Sequence, residues 1–365
     1  LRIALDVSIQ STSQPTGVER AQAVLIDALL AHAPALELHL MGGEQLPPRW
    51  AGHARVVHHE GRGGASWRYM QLARQVNRLG PALLHLPVAA APARVQVPMI
   101  ATLHELPWAE PGAPGDRSLR HRVATWLSAR RAARLVCPSE RTASQARALF
   151  PACAERLVVM PHAVDPRFSE DAPDDRAARV ELAARGIPDP GDYVLALGRL
   201  RHKKNLAMLI AAWRALPCEG RPAALVLAGP DGDASSALRE QLARPGARVL
   251  CPGFVPDALL PSLVRGARVL AAPALLEGFG LTPLEAMAAG VPVLAARQGP
   301  VDEAVGEAAL RVDGGDPEAL SQALDALLND GALRARQRAA GRLQAARRSP
   351  AALARATCAL YEQLA

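Results

Sequence analysis

The chain has 365 residues, half of them hydrophobic, only 3% aromatic, with a formal net charge of +7. At roughly 100–200 residues per domain this implies two domains with aliphatic cores. Five scattered cysteines (Cys137, Cys153, Cys218, Cys251, Cys358) without C-x-x-C spacing argue against a disulfide framework or a zinc site. They point instead to a reducing cytoplasm.

The opening residues, L-R-I-A-L-D-V-S, are too short an apolar run and too quickly polar for a signal peptide, and they read as a first strand at 2–7. Aliphatic runs predict further strands at 36–41, 55–58, 82–86, 99–103, 134–137 and 157–160. Between them the spacing predicts helices at 18–31, 66–79, 117–133 and 142–149. From 167 to 192 the alternation fails in an Asp- and Pro-rich stretch, with one helical piece near 176–185. Strands are predicted again at 193–197, 224–228, 248–251, 268–271 and 293–295. Helices are predicted at 206–216, 235–242, 258–265, 283–289, 317–328, 332–347 and 351–364. No apolar run approaches the roughly 20 residues needed to cross a bilayer.

Continuous apolar strands alternating with helices predict an α/β fold of two doubly wound, Rossmann-like domains with parallel sheets. The expected boundaries are an N-terminal domain at 1–170, a linker at 171–191, a C-terminal domain at 192–348, and a last helix at 349–365 packing back on the N-terminal domain. Open parallel sheets bind ligands beyond the carboxyl ends of their strands, so two such domains are expected to face a cleft.

Two loops stand out. Gly198-Arg199-Leu200-Arg201-His202-Lys203-Lys204-Asn205 follows a predicted strand and holds the chain's only lysines. Lys204 and Asn205 are expected to open the next helix. Arg199 and Lys204 are placed to meet one diphosphate beside that helix N-terminus, or to form a solvated basic turn. The second loop is Glu277-Gly278-Phe279-Gly280-Leu281-Thr282-Pro283-Leu284-Glu285. Gly278 and Gly280 let backbone amides approach an anion. Thr282 as N-cap with Glu285 three residues on reads equally as a capping box or as a ligand-binding carboxylate. Glu277 has no such structural explanation.

Glycine-arginine followed by lysine, then E-x7-E, then A-M-A-A-G-V-P-V, resembles family 4 of the retaining glycosyltransferases, of GT-B fold. A-L-V-L-A-G-P, P-G-F-V-P-D-A-L-L, P-T-G-V-E-R, T-L-H-E-L-P-W and V-M-P-H-A-V-D fit the same family. The resemblance implies that the C-terminal domain binds a nucleoside-diphosphate sugar (UDP- or GDP-linked) and the N-terminal domain an acceptor, a glycan or a lipid-linked molecule. It implies that Arg199 and Lys204 neutralise the diphosphate beside Gly198. Glu285 would bind ribose, and Glu277, with amides around Gly278, Phe279, Gly280 and Leu281, would hold the sugar. Phe254 and Val255 would lie by the base, His104 near the transferred sugar, and Gly17 in the loop facing the phosphates. Without a D-x-D motif, with two cations in its place, no metal or other cofactor is expected. The bacterial lipopolysaccharide, O-antigen and exopolysaccharide enzymes are the subtype most like this chain. Departures are His162-Ala163 for the usual Asn-Gly, Asp302 for a usual proline, and H-E-L for H-D-L.

Two other readings stand beside transfer: a GT-B nucleotide-sugar epimerase, and a silent nucleotide-binding scaffold. The segment from Arg117 to Arg134 carries six arginines beside Leu119, Val123, Trp126 and Leu127. It reads either as a face for an anionic membrane surface, making the protein peripheral on the inner leaflet, or as a surface helix packing its apolar stripe inward. No recognised nucleic-acid motif accompanies the charge, so nucleic acid is not an expected partner.

Overall fold

A computed structural model describes residues 1–10, 14–61, 67–109, 119–173, 175–217, 221–233, 236–246, 248–297 and 299–365. Among them the chain forms two compact units, one of residues 1–163 with 349–365, the other of 164–348.

The first unit contains β1 (Arg2–Asp6), α1 (Gly17–His32), β2 (Glu37–Met41), β3 (Val56–His59), α2 (Leu72–Leu79), β4 (Leu83–Leu86) and β5 (Met99–Thr102). It continues with α3 (Leu119–Arg131), β6 (Arg134–Cys137), α4 (Glu140–Leu149) and β7 (Leu157–Val159). Its strands make one parallel sheet in the order β3-β2-β1-β4-β5-β6-β7. Strand order reverses direction between β1 and β4, so the loops leaving β1, β4 and β5 share one edge of the fold. The last helix, Pro350–Glu362, also belongs here. Leu353, Ala354, Leu360 and Tyr361 are buried among Ile3, Leu5, Ile26 and Leu38. At about 1.5–3 kcal/mol per buried large apolar side chain, this packing outweighs what its intrinsic helix propensity supplies.

The second unit contains α5 (Arg176–Ala184), β8 (Tyr193–Leu197), α6 (Leu206–Ala215), β9 (Ala224–Ala228), α7 (Ser236–Ala243), β10 (Val249–Gly253) and α8 (Leu260–Arg265). After these come β11 (Val269–Ala272), α9 (Leu281–Ala288), β12 (Val293–Ala296), α10 (Gly299–Val305), β13 (Leu310–Val312), α11 (Pro317–Asn329) and α12 (Gly331–Ala346). The last helix of the first unit is α13 in this order. The second sheet is parallel, β10-β9-β8-β11-β12-β13, with its switch between β8 and β11. The runs Y-V-L-A-L and A-L-V-L-A are buried on both faces, as parallel strands require. The segment 171–191, expected as a linker, carries α5, and its Ala178, Leu182 and Ile187 are buried in this unit's core. The chain crosses between units twice, at 163/164 and 348/349, and the Val164 amide donates to the Arg348 carbonyl at 2.9 Å.

α3 reverses one of its two expected readings. Its small residues Ala124, Thr125, Ser128 and Ala129 face inward. Leu119, Val123 and Trp126 are 73%, 47% and 44% exposed, with the Arg130 guanidinium over the Trp126 ring at 4.8 Å. Arg117, the first arginine of that segment, lies outside the described residues.

Candidate active site

In the second unit the sheet's switch point brings the two loops together. Gly198 ends β8 at φ +130°, a region that favours glycine, and donates its amide to the Ala228 carbonyl at 2.9 Å. The next strand end is also a glycine. Gly229 sits at φ +147°, and a Cβ there would lie 2.1 Å from the Gly198 carbonyl oxygen, so only glycine fits. Gly229 was not among the expected site residues, although A-G-P directly after a strand is a legible signal.

Lys204 does not open a helix, as had been expected. It ends a short 3-10 turn, Asn205 takes the left-handed conformation (φ +57°), and α6 begins at Leu206. The Asn205 side chain donates to the Gly314 carbonyl at 2.7 Å rather than capping the helix, which fixes this turn against the loop after β13. From the turn the Lys204 ammonium pairs with the Glu277 carboxylate across the switch point. The Leu275 amide donates to the Lys203 carbonyl at 2.8 Å, so backbone as well as side chains joins the loops. Burial alone would raise the Glu277 carboxyl. Lys204 and Lys203 by charge, and Lys204 by its hydrogen bond, outweigh that and hold it below the ordinary value. The pair lines a solvent-open pocket of about 390 Å³ with Gly198, Pro273, Thr282 and Pro283.

The capping-box reading of Thr282 and Glu285 is overturned. The helix α9 begins at Leu281, and its N-cap is Gly280 at φ +106° with no side-chain cap. The left-handed glycine turns the chain two residues before Thr282, and Pro283 then falls in the first turn, where its missing N–H is not needed. Glu285 lies beyond the capping position and is 3% exposed. Phe279 is buried in the core, Gly278 half-buried beside it. Arg199 is separate from Lys204. Its guanidinium donates to the Asp231 carbonyl at 2.9 Å, and it does not line the pocket. Phe254 is half-buried after β10, whereas the Val255 side chain belongs to the core and leaves its backbone for any ligand. Asp302, the departure from proline, pairs with Arg311 at 3.3 Å, a structural role.

The first unit offers a different set. Gly17 is the first residue of α1, behind a Thr16 N-cap completed by Glu19 as a capping box. A Cβ on Gly17 would meet nothing within 4 Å, so packing does not demand glycine there. His104, two residues beyond β5, donates from Nε2 to the Pro87 carbonyl at 2.8 Å. A carbonyl only accepts, so in the neutral ring Nδ1 is the acceptor, and His162 Nε2–H donates to it at 3.2 Å. His85 bonds through Nδ1 to the Tyr361 hydroxyl at 2.7 Å. The three histidines line a cavity of about 480 Å³ with Thr102, Gln22 and aliphatic side chains. Burial and then the neighbouring His104 lower His85 to about 4 and His162 to about 3. His104 is likewise lowered, by burial against the opposing pull of Pro87 and Glu105. All three are neutral near pH 7. Sequence reasoning named His104 and noted His162 only as a departure. His85 and Tyr361, 276 residues apart, were beyond it.

Residues 16–168 match Glycosyltransferase Family 4, and residues 179–344 match Glycosyl transferases group 1. O-antigen chain mannosyltransferase B of Escherichia coli is 38% identical over 157 residues, 42% of this chain and 41% of that protein. D-inositol 3-phosphate glycosyltransferase of Jonesia denitrificans is 31% identical over 267 residues, 69% of this chain and 63% of that one. The chain thus spans less than two thirds of the length of the curated relatives it matches. Among solved structures, Anabaena Alr3699/HepE in complex with UDP and glucose is similar over 100% of both chains, with a TM-score of 0.74 at 20% identity. The fold is GT-B, two Rossmann-like α/β units.

Proposed function

Because the chain belongs to the glycosyltransferases, with a family 4 domain in its first half and a group 1 domain in its second, we propose that it transfers a sugar from a nucleoside diphosphate to a glycan or lipid-linked acceptor, with retention. The observation that carries this reading is Lys204 and Glu277 meeting at the β8/β11 switch point, one cation and one carboxylate on a pocket walled by Gly198. Lys204 would neutralise charge building on the departing diphosphate, and Arg199, on the same loop but bonded to the Asp231 carbonyl, would join it by leaving that contact. Glu277 would accept hydrogen bonds from sugar hydroxyls and Glu285 from the ribose, with amides at Phe279–Leu281 on the distal phosphate. Phe254 and the Val255 backbone would border the base. In the first unit, Gly17 and His104 are assigned to the donor phosphates and the transferred sugar. The kinship with an O-antigen mannosyltransferase supports a role in bacterial surface polysaccharide assembly. The diphosphate is left to side-chain cations, so turnover of a UDP- or GDP-sugar is expected to persist in EDTA. Activity abolished by EDTA and restored by a divalent metal refutes that part.

The acceptor side gains support from α3. Leu119, Val123 and Trp126 form an exposed stripe flanked by Arg120, Arg122, Arg130 and Arg131, the composition of a helix that lies on an anionic lipid surface. No helix among the described residues is long and apolar enough to cross a membrane. Co-sedimentation with phosphatidylglycerol vesicles is expected to fall with salt and with Trp126→Ser. Equal pelleting with neutral vesicles rejects this surface.

A further inference from the structure

Lys204 and Glu277 are assigned to two different parts of a donor, yet they bind each other. Both side chains are about one-fifth exposed, at 21% and 22%. The lysine is held close to the β8 end, since a Cβ on Gly198 would lie 3.3 Å from its Nζ and 3.4 Å from its Cε. The glutamate is held as a carboxylate by its lysine neighbours, so the pair is ionic rather than a neutral hydrogen bond. Any phosphate that takes Lys204 must therefore displace or share it with an anion already present. Two anions at one cation in a partly buried pocket repel each other.

We propose that Glu277 is the residue that distinguishes an intact sugar donor from the spent nucleoside diphosphate, by competing with the diphosphate for Lys204. This rests on the reading of the pocket as a nucleoside-diphosphate-sugar site. An intact donor brings hydroxyls that donate to Glu277 as it gives up the lysine, and hydrogen bonds to a carboxylate are among the stronger ones. A free nucleoside diphosphate brings no hydroxyl donor to that position and carries additional charge on its terminal phosphate. It takes the lysine and leaves the carboxylate without its hydrogen-bonded cation, with only the charge of Lys203 still acting on it. The pocket therefore favours donor over product, and the ion pair re-forms as the nucleotide leaves. The competition is a property of charge, so a neutral isostere at 277 removes it without removing the ability to bond hydroxyls.

The test is titration calorimetry of UDP, GDP, UDP-glucose and GDP-mannose against the wild-type chain, Glu277→Gln, Glu277→Ala and Lys204→Met, with melting temperatures measured for each. Glu277→Gln and Glu277→Ala are expected to bind the free diphosphate about tenfold more tightly than wild type, about 1.4 kcal/mol. Their preference for sugar nucleotide over diphosphate should shrink by at least that factor, and Lys204→Met should lose diphosphate binding. If wild type binds a diphosphate and both Glu277 variants, folded, bind it equally or more weakly, the competition is wrong and the donor reading survives. If wild type binds no nucleotide at all, the donor reading itself falls, and this inference with it.

Discussion

The two units place their charge at the strand ends in opposite ways. In the first, the charged pair at the end of β1 is sealed. Asp6 is fully buried, accepts from Arg68 Nε at 2.9 Å and from the Ser8 amide at 2.9 Å, and Arg68 reaches on to Ser8 Oγ at 2.8 Å. What remains to line that unit's cavity is neutral: three imidazoles, a threonine and a glutamine. In the second, the pair Lys204–Glu277 lies on the pocket wall, partly exposed. In the first pair the carboxylate is fully buried, whereas in the second both partners keep about a fifth of their side chains in solvent and stay exchangeable.

The contrast breaks most visibly by cutting one cation from each pair. Arg68→Ala leaves Asp6 buried and unpaired and should cost about 3–5 kcal/mol of stability, read by denaturant melts. Lys204→Ala should cost less stability than Arg68→Ala, because this pair keeps about a fifth of each side chain in solvent, at 21% and 22%, while lowering kcat about 10²–10³-fold. If the two variants behave alike in both measurements, the distinction has no content.

Acid sharpens it from the other side. His85 and His162 have folded-state values of about 4 and about 3, against the ordinary 6.5. Between those values and 6.5 the unfolded chain binds more protons than the folded one, so stability falls as pH drops from 6.5 and levels only below about 3. At most, His85 contributes about 3 kcal/mol and His162 about 5 kcal/mol to that loss. His85→Leu and His162→Leu should each flatten the melting temperature between pH 6.5 and 4, and an unchanged slope refutes the neutral assignment.

The smallest stability effect is at Gly17. With open space at its Cβ and a helical position, Gly17→Ala should leave stability unchanged or raise it by about 0.5–1 kcal/mol. On the proposal that Gly17 serves the donor phosphates, donor affinity should nevertheless fall. Unchanged affinity removes Gly17 from the site.

Much of this was legible in the sequence, for identifiable reasons. Parallel strands buried on both faces read as continuous apolar runs, so β8 and β9 were predicted at the residues where they occur. The short strand Leu310–Val312 and helix Gly299–Val305 were not predicted, because neither is long enough to show a period. The loop carrying Lys204 was placed correctly, but its helix start was not: a left-handed Asn205 looks like an ordinary helix opener in one dimension. Thr282 failed likewise, since Gly280 at positive φ starts the helix earlier than the T-x-x-E spacing proposes. α3 misled in the opposite sense. Its large apolar residues invited an inward stripe, and only the backbone's approach to the sheet reveals that the small residues are the buried ones. The His85–Tyr361 bond depends on a return of the chain that no local pattern encodes.

That return bears on how the protein is made. The second unit spans an almost unbroken run of sequence and can complete its core soon after Arg348 leaves the ribosome. The first unit, though synthesised earlier, lacks Leu353, Leu360 and Tyr361 until the final helix emerges. The three-histidine cavity, lined in part by Leu353, therefore cannot be walled before that helix is made, although the rest of its unit is translated first.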